Sequence, residues 1–559
     1  MTSIDEALAQ PTLCAAFQVT ARANPDRVAL RTFRSEESAT YREMADRVAR
    51  IAGGLAALGV GAGDVVGLML DSRGEFHLAD LAALHIGALP FSIYNSNPAE
   101  KIVPLLENSG AHIVIAEPHY APVLASIAAE RPDLVETVVV VGPEAGAGSM
   151  TLAELEALTP PTGFDFDASW RAVGPDTLAM LIYTSGTTGE PKGAEWRHDA
   201  LMENLRGFHQ LIPVSDAGRM VSYLPMAHLA ERFMSHYGLM VYGLTITSVP
   251  NAADLAAALR EVRPTRFFGV PRIYEKLAEP ARKLLDGPGG ADAARAALGF
   301  DEAEYLGSAA APARADILAF FASLGLTLIE NWGMSETAMT LINPPGAVKA
   351  GTVGKPTPGV EARIAYDGEL MIRGPIFSGY RNEPRRTRDA FDAEGWLHTG
   401  DVAAVDEDGY YRIVDRKKDI IINSAGKNMA PVMIENAVKT HSPLVGFVIA
   451  VGDGRKYVTA IITLDELAVA DFAREHGLEG GYAELTQAPE VRAAVDVAVA
   501  TANTTLARVE QIKRFVILEE PWMPGTDEVT STMKLRRRAI TTKYAEAIDG
   551  LYAEAPVGA

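Results

Sequence analysis

One stretch decides the fold of this sequence, Tyr183-Thr-Ser-Gly-Thr-Thr-Gly-Glu-Pro-Lys-Gly193. It follows an apolar run, Leu178 to Tyr183, that is typical of a buried strand, and it precedes a helix predicted to begin near Asp199. Its glycines let backbone amides approach a ligand closely, and its hydroxyls supply further donors. With the positive charge of Lys192, these groups are suited to binding a triphosphate.

Two better-known phosphate loops do not fit this stretch. The loop of the nucleoside triphosphatases needs a lysine followed directly by Ser or Thr, whereas Lys192 is followed by Gly193. The Gly-x-Gly-x-x-Gly spacing of dinucleotide-binding folds is also absent. A hydroxyl-rich surface loop without a ligand remains the alternative, since glycine loops after strands are common.

The surrounding sequence alternates helical periodicity with short apolar strands. Tyr41 to Leu58 carries apolar residues at spacings of three and four, which predicts one helix with an apolar stripe. Buried strands are predicted at 65–70, 88–93, 112–116, 137–141, 178–183 and 326–329. Strands without polar alternation, separated by helices, favour an α/β fold with mainly parallel sheets covered by helices on both faces.

The pattern of apolar and turn-forming residues changes twice toward the end of the chain. Residues 360–373 alternate and are rich in turns, which predicts a smaller β subdomain within the large N-terminal domain. After Asp415 a compact α+β pattern follows, with a helix at 431–441 and strands at 445–451, 457–464 and 515–518. We therefore predict a large domain at 1–415 and a small, mobile C-terminal domain at 416–559, with a hinge at 415–418.

Composition limits the possible functions. The 559 residues carry a formal net charge of −21, which argues against nucleic acid as the main partner. The single cysteine, Cys14, lies in a predicted apolar-faced helix, so we interpret it as packing and expect a reducing compartment. The N-terminus does not read as a signal peptide, and the longest apolar stretch, 238–250, is too short to span a bilayer. We expect a cytoplasmic protein with at most peripheral membrane contact; the sequence does not indicate its oligomeric state.

The stretch from Tyr183 to Gly193 closely resembles the signature of the adenylate-forming superfamily: acyl- and aryl-CoA synthetases, peptide-synthetase adenylation domains and firefly luciferase. Further stretches resemble the motifs that follow it in that superfamily, in the same order. They are Tyr223 to Arg232, Gly307-Ser-Ala309, Asn331 to Thr337, Trp396 to Asp401, Asp415 to Lys418, and Thr532 to Leu535. The resemblance spans about residues 15 to 545.

Three stretches are most similar to long-chain fatty acyl-CoA synthetases: Leu224 to Arg232, Val270 to Leu277, and Gly426 to Glu435. The resemblance implies ATP-dependent activation of a carboxylic acid, a medium- or long-chain fatty acid, to acyl-AMP with release of pyrophosphate. The acyl group then passes to coenzyme A. ATP, Mg²⁺ and coenzyme A are the implied cofactors and co-substrates.

The resemblance also implies the site residues. Thr184 and Glu336 would hold Mg²⁺, a hard cation suited to oxygen ligands. The implied catalytic residues are Lys534, Thr184, Glu336 and His228. The implied nucleotide-binding residues are Thr184, Ser185, Gly186, Thr187, Thr188, Gly189, Lys192, Gly307, Ser308, Ala309, Asn331, Trp332, Gly333, Met334, Ser335, Asp401 and Arg416.

Two of these implied residues would contact the ribose. Gly307 to Ala309 resemble the family's adenine wall, and Trp332 would stack on the base. Asp401 would accept hydrogen bonds from the vicinal diol, and Arg416 would contact the same sugar. Trp332 stands where the family generally has an aromatic, often Tyr, stacking on adenine. The pair Asn331-Trp332 departs from the commoner Gly-Tyr, which keeps an aromatic face and leaves the base contact open.

The remaining implied roles belong to the second half of the chain. Lys534 would orient the carboxylate and the α-phosphate, although a charge run such as 534–538 is usually a solvated face. Lys418 would be the hinge residue, at which the small domain rotates between the two half-reactions. Ser424, Gly426 and Glu435 would line the coenzyme A channel.

His228 keeps two interpretations, a residue bordering the acyl and thiol sites or a core histidine. A metal role is not expected, because no second His or Cys is suitably spaced.

Alternatives to a coenzyme A ligase stay open. An acyl-AMP ligase delivering to a carrier protein has the same motifs, although no carrier domain follows Lys534 in this sequence. A non-catalytic acyl-nucleotide-binding relative would not need Lys192, Glu336 and Lys534, which are all present. A light-producing oxidase also shares these motifs, but nothing in this sequence indicates that activity.

Overall fold

The computed structural model describes residues 2–146, 148–184, 192–285, 287–523, 526–530 and 534–553. The chain divides into two compact units, each discontinuous in sequence. The first comprises Met1–Ala362 and Ile372–His398, and the second comprises Arg363–Met371 and Thr399–Ala559. The predicted domain boundary and hinge at 415–418 stay predictions.

The first unit contains two large sheets whose central strands are parallel, as predicted. The nine strands of one sheet are, in spatial order, Lys355–Pro356, Ala338–Ile342, Leu328–Met334, Tyr305–Ser308, Arg266–Gly269, Arg219–Ser222, Thr245–Ser248, Val28–Thr32 and Ser38–Thr40. The eight strands of the other are Gly379–Tyr380, Lys192–Arg197, Leu178–Thr184, Leu89–Ser92, Val65–Met69, Ala111–Ala116, Thr137–Val140 and Ser149–Thr151. Antiparallel pairs occur toward the edges of both sheets.

Helices surround these sheets. The α-helices of the first unit are Ser3–Leu8, Leu13–Ala23, Tyr41–Ala57, Gly74–His85, Ala99–Ser109, Ala121–Glu130, Leu152–Ala157, Phe166–Ala172, His198–Leu211, Leu229–Glu231, Tyr237–Tyr242, Leu255–Val262, Pro271–Leu285, Gly290–Leu298, Ala315–Ser323 and Pro384–Ala390. A π-helix covers Arg232–His236 and a 3₁₀ turn covers Ala252–Asp254.

Local sequence explains several of these elements. The predicted helix at 41–58 is confirmed as Tyr41–Ala57, and Thr40 and Glu43 form a capping box at its start. The strand Val65–Met69 is buried along its whole length, as expected for a strand covered on both faces. Cys14 is fully buried in the helix Leu13–Ala23, and burial raises the pKa of its thiol, which agrees with packing.

In the first unit one strand was not predicted, and another is longer than predicted. The helix predicted to begin near Asp199 is confirmed as His198–Leu211, and the strand Lys192–Arg197, which was not predicted, precedes it. The strand predicted at 326–329 is Leu328–Met334, longer because it pairs antiparallel with Ala338–Ile342. Both differences arise from hairpin partners, which local periodicity does not indicate.

The chain enters and leaves the second unit within strands. The strands Glu361–Ile364 and Glu369–Arg373 lie where β structure was predicted. The strand Leu397–Val405 pairs antiparallel with Tyr411–Arg416, with Asp401 opposite Arg416 and Val405 opposite Tyr411. A short hairpin, Ile421–Ile422 with Asn428–Met429, follows.

The rest of the second unit is a three-stranded sheet, Val445–Val451, Val458–Leu464 and Ile512–Ile517, with its own apolar core. Its helices are Pro431–Thr440, Glu466–His476, Tyr482–Gln487, Pro489–Thr505, Arg537–Lys543 and Ala545–Ala553. The predicted α+β composition is confirmed. Among the described residues, no helix has the length and apolar character needed to cross a bilayer.

Candidate active site

The carboxyl ends of two neighbouring parallel strands bring the predicted adenine residues together. Gly307 and Ser308 end one strand and lie beside Ile329 and Glu330 of the next. A Cβ on Gly307 would come within 2.3 Å of the Tyr305 hydroxyl oxygen, so this position needs glycine. Ala309 follows the strand. Carboxyl ends of parallel strands are where open α/β sheets bind ligands.

Two buried polar atoms at this edge lack hydrogen-bond partners in the described part of the chain. They are Ser308 Oγ and Asn331 Oδ1. The amide nitrogen of Asn331 donates to Tyr305 Oη over 3.3 Å, which fixes the side chain. An unpaired buried polar atom costs free energy unless a ligand or water satisfies it, so both atoms are suited to a polar ligand such as a base.

A tight antiparallel hairpin carries the next four predicted residues. Asn331, Trp332, Gly333 and Met334 lie on its first strand, and a Cβ on Gly333 would come within 1.7 Å of the Ala338 carbonyl oxygen. Trp332 is 8% exposed, so little of its ring is accessible in this structure. Its predicted stacking on adenine stays a prediction.

The hairpin turn fixes Ser335 and Glu336. Trp196 Nε1 donates to the Ser335 carbonyl oxygen over 2.8 Å, and the amide of Phe377 donates to the Glu336 carbonyl oxygen over 3.0 Å. The Glu336 side chain is buried, and its Oε1 accepts from the Tyr380 hydroxyl over 2.7 Å. The predicted metal ligand is therefore held by a tyrosine that the sequence analysis missed.

Lys192 lies beside the same tyrosine. It begins the strand Lys192–Arg197, paired in register with Thr184, and its Nζ lies 5.8 Å from the centre of the Tyr380 ring. Burial, followed by the charge of Glu336, raises the pKa of Tyr380, so its hydroxyl stays a donor at neutral pH. The structure thus groups a cation, a phenol and a carboxylate from three separate segments.

Part of the predicted phosphate stretch lies outside the described residues. These positions are 185–191, which include the predicted nucleotide-binding residues Ser185, Gly186, Thr187, Thr188 and Gly189. Thr184 ends the strand that leads into them.

His228 precedes the short helix Leu229–Glu231. Its Nδ1 accepts from the Ala230 amide over 3.3 Å, so the ring caps the helix. Capping by itself neither requires nor excludes contact with an acyl group. Both interpretations of His228 stay open.

Asp401 and Arg416 are cross-strand neighbours in the second unit. Arg416 Nε lies 2.7 Å from Asp401 Oδ1, and Asp401 is buried while Arg416 is partly exposed. The Asp401 amide also donates to Thr399 Oγ1 over 3.1 Å. The pair orients an acceptor and a donor together, which is suited to binding a sugar diol.

The predicted hinge and coenzyme A residues lie close to one another in sequence and differ in burial. Lys418 is exposed in a turn, and Ser424 is exposed in the loop before Asn428. Gly426 has φ of +77°, a conformation that favours glycine. Glu435 is buried, and both of its carboxylate oxygens accept from Arg537 over 2.6 and 2.5 Å. Its place beside coenzyme A stays a prediction.

Lys534 is exposed and is hydrogen-bonded to Thr530. Its amide donates to Thr530 Oγ1 over 2.9 Å, and its carbonyl oxygen accepts from the Thr530 amide over 2.8 Å. The interpretation of residues 534–538 as a solvated charge run needs qualification, because Arg537 is largely buried.

Sequence reasoning missed Tyr380 and Arg537, and only one of them left a readable signal. Arg537, Ile540 and Tyr544 are three and four residues apart, which places Arg537 on the apolar face of its helix. Tyr380 and Glu336 are 44 residues apart, and nothing in either segment indicates their contact.

Comparison with known proteins shows the family of this chain. Residues 17–381 match the AMP-binding enzyme family, and residues 418–556 match the AMP-binding enzyme C-terminal domain. This chain therefore belongs to the AMP-binding enzyme family, and it is an AMP-forming ligase. The resemblance drawn from the motifs is confirmed.

Curated relatives narrow the subgroup. The chain is 42% identical over 450 residues to the putative fatty-acid–CoA ligase fadD11 of Mycobacterium tuberculosis, covering 73% of this chain and 79% of that protein. It is 34% identical over 559 aligned positions to the long-chain-fatty-acid–CoA ligase FadD15 of Mycobacterium bovis, covering 92% of each.

Solved structures share the fold. The adenylation domain of a carboxylic acid reductase from Segniliparus rugosus aligns with a TM-score of 0.80 at 22% identity, covering 99% of this chain and 96% of that one. A fatty acyl CoA synthetase of Mycobacterium tuberculosis aligns with a TM-score of 0.67 at 24% identity, covering 96% and 99%. The α/β fold predicted from the sequence is confirmed.

Proposed function

We propose that this protein activates a long-chain fatty acid with ATP, forming acyl-AMP, and then transfers the acyl group to coenzyme A. The observation that carries the proposal is the cluster of Lys192, Tyr380 and Glu336 near the carboxyl end of the strand Leu178–Thr184. A fixed carboxylate beside a cation is suited to a nucleotide triphosphate with its metal ion. Family membership and the fatty-acid ligase names of its relatives support the same reaction.

The first step joins the acid to AMP. A carboxylate oxygen of the acid attacks the α-phosphorus of ATP, the bond from that phosphorus to the bridging oxygen breaks, and pyrophosphate leaves. The reactants are both anions, so positioning and charge neutralisation decide the rate. Lys192 and Lys534 would offset negative charge on the phosphates and the attacking carboxylate.

Different residues would bind the base, the ribose and the metal ion of the nucleotide. Ser308 Oγ and Asn331 Oδ1 would bind the base, and Asp401 with Arg416 would bind the ribose. Glu336, with Thr184, would hold magnesium, which neutralises charge on the triphosphate when it is bound. Tyr380 would fix Glu336 through its hydrogen bond, so that one carboxylate oxygen keeps a constant direction.

The second step forms the thioester. The sulfur of coenzyme A attacks the acyl carbon, the bond from that carbon to the phosphate oxygen breaks, AMP leaves, and the thiol proton passes to solvent. No side chain needs to act as a nucleophile, in agreement with the burial of Cys14. Rotation at Lys418 would replace Lys534 by the segment from Ser424 to Glu435 at the reaction centre.

The proposal extends to the acceptor and the compartment. Coenzyme A is favoured over a carrier protein because the relatives named above are coenzyme A ligases. We place the enzyme in the cytoplasm, in peripheral contact with membranes at most.

ATP–pyrophosphate exchange with a panel of acids from short to very long chains tests the proposal. We expect exchange with fatty acids of long chain, and acyl-CoA formation when coenzyme A is added without any carrier protein. Absence of exchange with every acid would exclude the ligase. Exchange without acyl-CoA formation would favour a carrier protein as the acceptor.

Lys534→Ala separates the two steps. Because Lys534 would act during adenylation, we expect exchange to fall roughly 10²- to 10³-fold, the loss usual for one charge-stabilising group. Conversion of synthetic acyl-AMP and coenzyme A to acyl-CoA should change less than about twofold, since the first barrier is bypassed. Lys456→Ala, which removes an exposed lysine of the same unit, is the control. Equal losses in both steps would show that Lys534 has another role.

A further inference from the structure

A buried ion pair anchors the loop that ends at Lys534. Arg537, three residues later, begins the helix Arg537–Lys543 and donates two hydrogen bonds to Glu435, over 2.6 and 2.5 Å. The side chains are 17% and 7% exposed. Two parallel hydrogen bonds between a guanidinium and a carboxylate fix orientation as well as distance.

Glu435 is itself fixed to the sheet of the second unit. It lies on the helix Pro431–Thr440, and its Oε1 also accepts from the amide of Ala450, over 2.8 Å. Ala450 lies in the strand Val445–Val451. Arg537 is therefore tied through one carboxylate to both a helix and a strand.

The described residues on the two sides of positions 531–533 are joined by contacts of their own. The Arg536 amide donates to the Glu528 carbonyl oxygen over 2.8 Å, and Val529 and Leu535 form a β-bridge. Lys543, at the other end of the helix, pairs with the Glu528 carboxylate. The helix and both described ends of the loop thus form one connected unit.

We propose that Glu435 and Arg537 are positioning residues that fix Lys534 for adenylation. This inference rests on the proposed function, in which Lys534 serves the first step. During adenylation the pair would not touch the reacting atoms. It sets the start of the helix that directly follows the lysine, so a shift of that start moves Lys534 with it.

A lysine at position 537 would not replace this arrangement. Arg537→Lys keeps the positive charge and removes the planar pair of donors that matches a carboxylate. We expect ATP–pyrophosphate exchange to fall roughly 10- to 100-fold, because small misplacements of a positioning group cost that much. Acyl transfer from synthetic acyl-AMP to coenzyme A should stay within about twofold of the unaltered enzyme.

The control is a second ion pair of the same unit. Arg455 Nη2 lies 2.5 Å from Asp549 Oδ1, and both side chains are substantially exposed. Like Arg537, Arg455 ties a C-terminal helix to the rest of the unit. Arg455→Gln should leave both half-reactions unchanged.

A double-mutant cycle tests whether Arg537 acts through Lys534. In the Lys534→Ala background, Arg537→Lys should cause no further loss of exchange, because the group that it positions is gone. A merely structural role would lower exchange further by the same factor as in the unaltered enzyme. Independent, multiplicative losses would therefore overturn the proposal.

Glu435→Gln tests the same positioning role from the other side of the ion pair. It also serves as the test if Arg537→Lys does not fold. It should slow exchange more than acyl transfer. Slower acyl transfer with unchanged exchange would instead place Glu435 in the coenzyme A channel and overturn its positioning role. If the unaltered enzyme shows no exchange with any acid, the proposed function fails. Normal exchange in Arg537→Lys and Glu435→Gln contradicts this inference alone.

Discussion

Each unit contains a buried pair of a carboxylate and an arginine, and the two pairs differ in how completely they exclude water. In the first unit, Asp80 pairs with Arg232, and neither side chain has any exposed surface. In the second unit, Glu435 and Arg537 keep 7% and 17% exposure. Removing one partner of a fully buried ion pair lowers the free energy of unfolding strongly, because the other charge is left buried and unpaired. A pair that keeps some solvent contact can be altered at a lower cost in stability.

The surroundings of the first pair are also ordered around one carboxylate. Asp80 lies on the helix Gly74–His85, and its Oδ1 accepts from His236 Nε2 over 2.8 Å. His236 Nδ1 lies 2.9 Å from His77 Nδ1. Burial lowers the pKa of both histidines well below its usual value, which favours neutral rings. A neutral His236 that donates from Nε2 to Asp80 accepts at Nδ1, and a neutral His77 then donates to it.

This cluster includes both ends of a π-helix that begins at the last residue of the motif Tyr223 to Arg232. Arg232 and His236 are the ends of the π-helix Arg232–His236, which directly follows the segment beginning at His228. A π-helix is rare because it departs from regular α-helical hydrogen bonding. The comparison indicates that the first unit uses a closed ion pair to hold a backbone irregularity, and the second uses a partly open one to hold a loop.

Breaking the closed pair should have the largest effect on stability. Asp80→Asn leaves Arg232 buried without its counter-charge, so we expect the free energy of unfolding to fall by about 3–5 kcal/mol. Urea denaturation followed by tryptophan fluorescence measures the change. The control is Asp471→Asn, whose partner Arg474 lies one helical turn away at an exposed site. That change should cost at most about 0.5 kcal/mol. Equal midpoints for both variants would contradict the distinction.

The second-largest expected effect is a loss of stability of the first unit at acid pH. Burial lowers the pKa of His85 from 6.5 to about 4, so the unfolded chain takes up a proton that the folded chain does not. This contribution to stability is present above pH 6.5 and is lost as the pH falls toward 4, by about 3 kcal/mol for His85 alone.

The urea midpoint measured between pH 7 and pH 4.5 checks this prediction. His85→Gln, which cannot take up a proton, should flatten the acid limb, whereas His441→Gln at an exposed site of the second unit should not. A urea midpoint that stays constant between pH 7 and pH 4.5 would contradict a stabilising contribution from the buried histidines. Glu435 acts in the opposite direction, because burial raises its pKa and its contribution is lost as the pH rises.

The smallest expected effect concerns a carboxylate held by an uncharged partner. Tyr380→Phe removes the 2.7 Å hydrogen bond to Glu336 and leaves the ring in place. We expect the Mg²⁺ concentration for half-maximal exchange to rise roughly tenfold, since groups that orient a ligand typically matter by that factor. Tyr410→Phe, at a site in the other unit, is the control. An unchanged Mg²⁺ requirement would remove Tyr380 from the site.

Regular structure could be predicted from the sequence where one face of an element is apolar. The helix Tyr41–Ala57 and the strand Val65–Met69 follow directly from the spacing of their apolar residues. The strand Lys192–Arg197 was missed, because Glu195 and Arg197 interrupt its apolar pattern and its strand character depends on partners on both sides. The π-helix was missed as well, since one added residue per turn leaves no mark in a short apolar run.

The candidate site could be predicted as a set of motifs, and its supporting contacts could not. Glu336, Asp401 and Lys534 were named from their motifs, and their roles remain proposals. The partners Tyr380 and Arg537 come from segments far away in sequence, and side-chain pairing over such distances has no local pattern. Arg537 illustrates the difficulty, because a run of arginines is usually solvated and one member of this run is buried against Glu435.

The burial of Cys14 has a practical consequence for following the enzyme at work. It is the single cysteine of the chain, and its side chain has no exposed surface. A thiol-reactive dye added to the native protein should therefore report on coenzyme A without interference from the enzyme. The same background allows one new surface cysteine in each unit to carry a fluorescent label, so that the distance between the two dyes can be followed in single molecules during turnover.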